Sequence, residues 1–180
     1  MTEHSGNRRP TRQHHNQVVY TSIRERPEPT YPLDRLHKVL LVGSAIVAVV
    51  LLVYFVIRAW GMDGSLPMQY GIDGQVRREG SVWEGIGTLT MLGATTVGVA
   101  VLARYPRIFN FPFVLTEDNV QRQYKNAVQM MAWLALSCAL IMVVMVGSWV
   151  GVLSIHWTWL SMAIMIVSLI FFMSRMFKLR

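Results

Sequence analysis

A single cysteine, Cys138, leaves the chain unable to close an intrachain disulfide or to supply a thiolate metal cluster. Charge is scarce as well: 15% of the 180 residues are Asp, Glu, Lys or Arg, against about a quarter in an ordinary water-soluble domain. None of these, and no histidine, falls near the middle of an apolar run, which argues against proton relays and carboxylate coupling sites inside a bilayer. There is no glycine loop that cradles phosphate ahead of a helix, no histidine pair on one helical face and no nucleophile elbow. Asp63, Asp73 and Glu79 lack the spacing of a calcium loop, and His14-His15 lies in a polar tail where solvation is the simpler reading. The expectation is a protein that is not an enzyme and needs no cofactor or metal. Its arginines are scattered without a binding motif, so no nucleic-acid partner is expected either.

Apolar residues, by contrast, make up 53% of the chain, and they are clustered. Residues 39–57 carry no charge, and about 20 such residues cross the ~30 Å hydrocarbon core of a bilayer. Further spans are read at 82–103, with only Glu84 in its first turn, at 130–151 and at 157–173. The predicted fold class is therefore an all-α integral membrane protein with four transmembrane helices over residues 34–176. No apolar run suited to a signal peptide precedes the first span, which reads as an uncleaved anchor. Residues 1–33, rich in proline and arginine and poor in large aliphatics, read as a disordered basic tail, and 177–180 as a short basic tail.

Orientation follows from lysine and arginine. Fourteen of the 17 basic residues lie in the N-terminal flank, the second connector and the C-terminal tail; the remaining three, Arg58, Arg77 and Arg78, lie in the first connector. Both termini and the second connector are predicted to be cytoplasmic in a multi-pass protein of the plasma membrane. Trp60, Trp83, Trp149, Trp157 and Trp159 then fall at outer ends and Trp133 at an inner one. Trp133 and Trp149, roughly 24 Å apart along a helix, are expected to bracket the membrane as interfacial rings.

Both long connectors carry signs of structure. In the outer one, Asp73-Gly74 is a dipeptide favoured in hairpin turns and predicts a short hairpin. In the inner one, Pro106 and Pro112 preclude one regular helix over residues 104–113, and the aromatics beside arginines suit an interfacial segment. Thr116 is read as the N-cap of a helix running about 117–146. Such a helix is roughly 45 Å long and projects beyond the hydrocarbon. Its Val120, Tyr124, Ala127 and Met131 share one face. Within the second span, Gly87, Thr90, Ala94 and Gly98 form a stripe of small residues at helical spacing. It is expected to serve close packing, first within this chain and otherwise against a membrane-protein partner. Met142, Met145, Met162 and Met165 are read as packing or lipid contacts.

The string YPRIFNFPFVLTEDNVQRQYKNAVQMMAWL, with LPMQYGIDGQV and GSVW before it, resembles the bacterial membrane domain of unknown function found at the N-terminus of SdpI-type immunity proteins. The resemblance covers about residues 40–155. Leu66, Pro67 and Gly74 match its outer loop, and Asn110, Pro112 and Asn119 its inner connector. The family often has a histidine where this chain has Gln69, so no proton- or metal-dependent role is implied at that position. What the resemblance implies is chiefly a fold. The functional expectation is a membrane protein that acts by binding another protein, as an accessory subunit or an immunity-like factor, with membrane lipids around it. The alternatives are a small transporter or lipid-handling protein, with Thr88, Thr90, Thr95 and Thr96 lining a cavity, and an enzyme using Gln69, Asp73, Glu79 and Glu84 at the outer surface.

Overall fold

Asp34 opens the first helix. Its carboxylate accepts from the His37 backbone N–H at 3.3 Å, satisfying a donor that the helix itself leaves free. The helix, α1, then runs Arg35–Ala59. Ser81 does the same for α2, Val82–Leu102, by accepting from the Glu84 N–H at 3.2 Å. The third helix, α3, spans Val120–Trp149, and α4 spans Trp157–Lys178. All four are long and apolar enough to cross a membrane, and by length and composition the chain is a multi-pass membrane protein. Their outward faces carry exposed Val39, Val53, Ile57, Val167 and Ile170, as a lipid-facing surface requires. The computed structural model describes residues 18–62 and 64–180; Arg8, Arg9, Arg12, His14, His15 and Asp63 lie outside them.

The fold is not all-α. Ser65–Tyr70 (β2) and Val76–Ser81 (β3) form an antiparallel hairpin between α1 and α2. Val19–Tyr20 (β1) pairs antiparallel with Leu115–Thr116 (β4). The hairpin is where Asp73-Gly74 placed it, although the connection runs over residues 71–75 instead of two. Gly74 takes φ 79°, which suits glycine, and its N–H donates to the Gly71 carbonyl at 2.9 Å.

α3 is the hub of the bundle. It packs against α1, α2 and α4, while α4 has α3 as its main helical neighbour. The helix is 30 residues long, as read from the sequence, but it starts three residues later than expected. Thr116 is not its N-cap. Strand pairing takes Thr116, and the Asn119 side chain folds back to accept from the Thr116 N–H at 3.0 Å and donate to the Val114 carbonyl at 3.2 Å. The helix ends in a Schellman turn: Gly151, at φ 75°, lets the Val152 N–H reach the Gly147 carbonyl at 2.8 Å.

Two ends of the bundle can be told apart. At the hairpin end, Phe55, Leu66, Leu89, Met142, Val146 and Trp149 form one core. Trp149 is not an interfacial ring; it is 8% exposed, lies 5.0 Å from the Phe55 ring and donates Nε1–H to the Pro67 carbonyl at 3.0 Å. Tyr70 adds a hydroxyl bond to Ser148 at 2.9 Å. At the opposite, basic end, the first residues of α1, the end of α2, the connector and the C-terminus of α4 gather around the first half of α3. α4 remains helical through Lys178, so residues 177–178 of the expected tail belong to the helix.

Candidate functional site

The basic end carries the most elaborate polar construction among the described residues, and it begins with three amides on α3. Gln123, Asn126 and Gln129 succeed one another at three-residue steps, so they share a helical face. All three are buried against α4. Gln123 donates to the Met176 carbonyl at 3.0 Å, adding a second donor to an acceptor in the last turn of α4 that the Leu179 N–H reaches only at 3.3 Å. Asn126 donates to the Phe172 carbonyl at 2.9 Å. Gln129 accepts from Arg175 at 3.0 Å and donates to Asp34 at 3.2 Å, while Asp34 bonds the His37 ring. A chain of polar contacts thus joins α4, α3 and α1. The His37 hydrogen bond, more than the second bond from Gln129, holds the Asp34 carboxyl below the usual carboxylate range.

The N-terminal segment closes over this end. Residues 18–33, expected to be disordered, are folded onto the connector; residues 1–17 of that expected tail lie outside the described residues. The reason is a set of long-range partners. Arg26 donates to the carbonyls of Arg107 (2.6 Å) and Phe109 (2.7 Å) and stands 5.8 Å from the Phe111 ring centroid. Gln121 accepts from the Thr30 N–H and donates to the Glu28 carbonyl, and Arg107 pairs with Glu28. Beneath them, Phe111 meets Tyr124 at 5.8 Å, and Phe113 packs edge-on against Phe177 at 4.7 Å. A single 3-10 turn, Pro106–Ile108, starts at Pro106, and Pro112 lies in the irregular chain beyond it.

Tyr31, half-buried where this segment meets α1, has its phenol pushed up to about 12, first by burial and then by Tyr124. Because burial favours the neutral form, the associated stability is complete below about pH 10 and is lost as pH rises towards 12. An ultraviolet titration is expected to show a tyrosinate component near pH 12 that Tyr31→Phe removes; an unchanged titration of that variant contradicts the assignment.

The other residues singled out by sequence are dispersed. Gly87, Thr90, Ala94 and Gly98 all lie on the exposed side of α2, and a methyl group built on Gly87 or Gly98 meets nothing within 4 Å. The expected packing within the chain is made instead by Gly85, Leu89, Gly93 and Thr96. Thr88, Thr90, Thr95 and Thr96 each donate to a carbonyl one turn earlier in their own helix, at 2.8 to 2.9 Å, and so are not free donors lining a cavity. Glu84 is bound by Arg78 at 2.5 and 3.1 Å, Glu79 accepts from Ser65, and Asp73 accepts from the Gln75 N–H in its own turn. These carboxylates form no shared site with Gln69. Of the positions that carry the family resemblance, Leu66 is buried, Pro67 binds Trp149, Gly74 makes the turn and Asn119 staples the connector. Gln69, Asn110 and Pro112 are exposed.

Sequence reasoning missed the three amides and the docking of residues 24–30. The amide spacing was visible in QRQYKNAVQ; the docking has no local signal. No family model, no curated protein and no solved structure matches the chain.

Proposed function

We propose that this protein acts by binding another membrane protein, as an accessory subunit of a membrane complex or as an immunity-like factor, and that both termini face the cytoplasm. The outward turn of the small-residue face of α2 carries the reading. Close approach of a second helix backbone is what such a face permits, and the chain's own helices leave it open. The exposed Gln69, Asn110 and Pro112, at positions of resemblance to SdpI-type proteins, add surface outside the bilayer where a partner can be selected. Transport through a threonine-lined cavity is disfavoured, because those hydroxyls are spent on their own helix.

Purification from native membranes in mild detergent, followed by mass spectrometry, is expected to recover a stoichiometric partner, and Gly87→Leu with Gly98→Leu is expected to lose it. Repeated recovery of the chain alone overturns the reading. Orientation is tested separately. In a Cys138→Ser background, Gln75→Cys is expected to react with an impermeant maleimide on intact cells and Asn110→Cys only after lysis. Labelling of both from one side refutes the layout.

A further inference from the structure

We propose that the groove between α1 and α2 at the basic end is a binding site for one anionic phospholipid, its phosphate held between Lys38 and Arg104 and one acyl chain lying along the groove. The groove has a volume of about 650 Å³. Its walls are Val42, Ala45 and Ile46 from α1 and Val97, Ala100 and Val101 from α2, with Val128 of α3 as floor. These are methyl and methylene surfaces suited to a hydrocarbon chain.

Depth selects the occupant. From Lys38 to Ile46 is roughly 12 Å along α1, and from Val97 to Arg104 roughly 10 Å along α2. That is close to half of the ~30 Å hydrocarbon thickness, or one leaflet. An acyl chain ends near the midplane, whereas a partner helix runs through both leaflets and calls for a groove of twice this length. Gly87, Thr90, Ala94 and Gly98 of the small-residue face do not line the groove.

Charge selects the headgroup. Lys38 and Arg104 are both exposed at the mouth, and neither takes part in an ion pair among the described residues. Asp34, one turn before Lys38, is engaged by His37 and Gln129. Pro29, Tyr31 and Pro32 of the folded N-terminal segment wall the mouth at headgroup height. Two unpaired cations beside one phosphate favour a lipid of net negative charge over a zwitterionic one, whose own ammonium competes.

The full chain is purified in mild detergent and exchanged into equal amounts of phosphatidylglycerol and phosphatidylcholine, and bound lipid is counted by native mass spectrometry. The expected result is one retained phosphatidylglycerol, favoured on the order of tenfold, with near parity in Lys38→Gln/Arg104→Gln. Arg122→Gln/Lys178→Gln, at the same end but outside the groove, is expected to keep the preference; an equal loss there means surface charge alone and overturns the site. Unmodified protein gives a second readout. A phosphatidylglycerol with a diazirine in its acyl chain is expected to label residues 42–46 and 97–101. Even labelling of all lipid-facing helices, or occupancy of the groove by a copurified protein, also overturns the proposal.

Discussion

Gln129→Leu is expected to destabilise the folded bundle by about 2 to 3 kcal/mol. The replacement is close in size and keeps the helix, but it removes two hydrogen bonds to charged groups at once. Such bonds contribute roughly 1.5 to 3 kcal/mol each when shielded from water. Arg175 is partly buried and loses its partner; Asp34 is nearly half exposed and recovers much of its hydration, which is why the estimate stays below the sum. Denaturation in mixed micelles, followed by circular dichroism, reads the effect. A change smaller than about 0.5 kcal/mol means that the contacts joining three helices do not hold them together.

Arg26→Ala is expected to release residues 18–33 from the connector while leaving the helices in place. One guanidinium serves two carbonyls and faces an aromatic ring. Losing these contacts leaves the carbonyls of Arg107 and Phe109 short of a strong donor, at a local cost of about 2 to 4 kcal/mol. Amide exchange in residues 18–33 then speeds up by roughly a hundredfold or more, whereas Leu89 and Met142 in the opposite core keep their protection. Arg26→Lys, which presents a point charge instead of a planar fork, falls between the two. Unchanged exchange in the alanine variant places the anchoring elsewhere, on Gln121, the Arg107–Glu28 pair or the pairing of β1 with β4.

The four helices were legible because bilayer-crossing length in apolar residues is a property of consecutive positions, and the hairpin because Asp73-Gly74 marks its own turn. Where the reading failed, the deciding contact lay far away in the chain. Trp149 sits at a helix end, as an interfacial tryptophan does, yet the Pro67 carbonyl and the Phe55 ring draw it inward. The direction of the α2 stripe could not be read, since Gly85 and Gly93 mark a second small-residue face and periodicity does not say which one meets α3. Residues 18–33 look disordered by composition because the partners of Arg26 and Glu28 are some eighty residues on. Of the candidate site, the three amides were readable from their spacing; their grip on the last turns of α4 was not.

The pairing of Val19–Tyr20 with Leu115–Thr116 has a temporal consequence. The first strand leaves the ribosome long before its mate exists, and at about 5 to 20 residues per second the wait is on the order of 5 to 20 seconds. During that interval two helices enter the bilayer while the N-terminal arm stays unclasped and open to chaperones or proteases. Its fastening therefore records that the first half of the bundle has already been laid down.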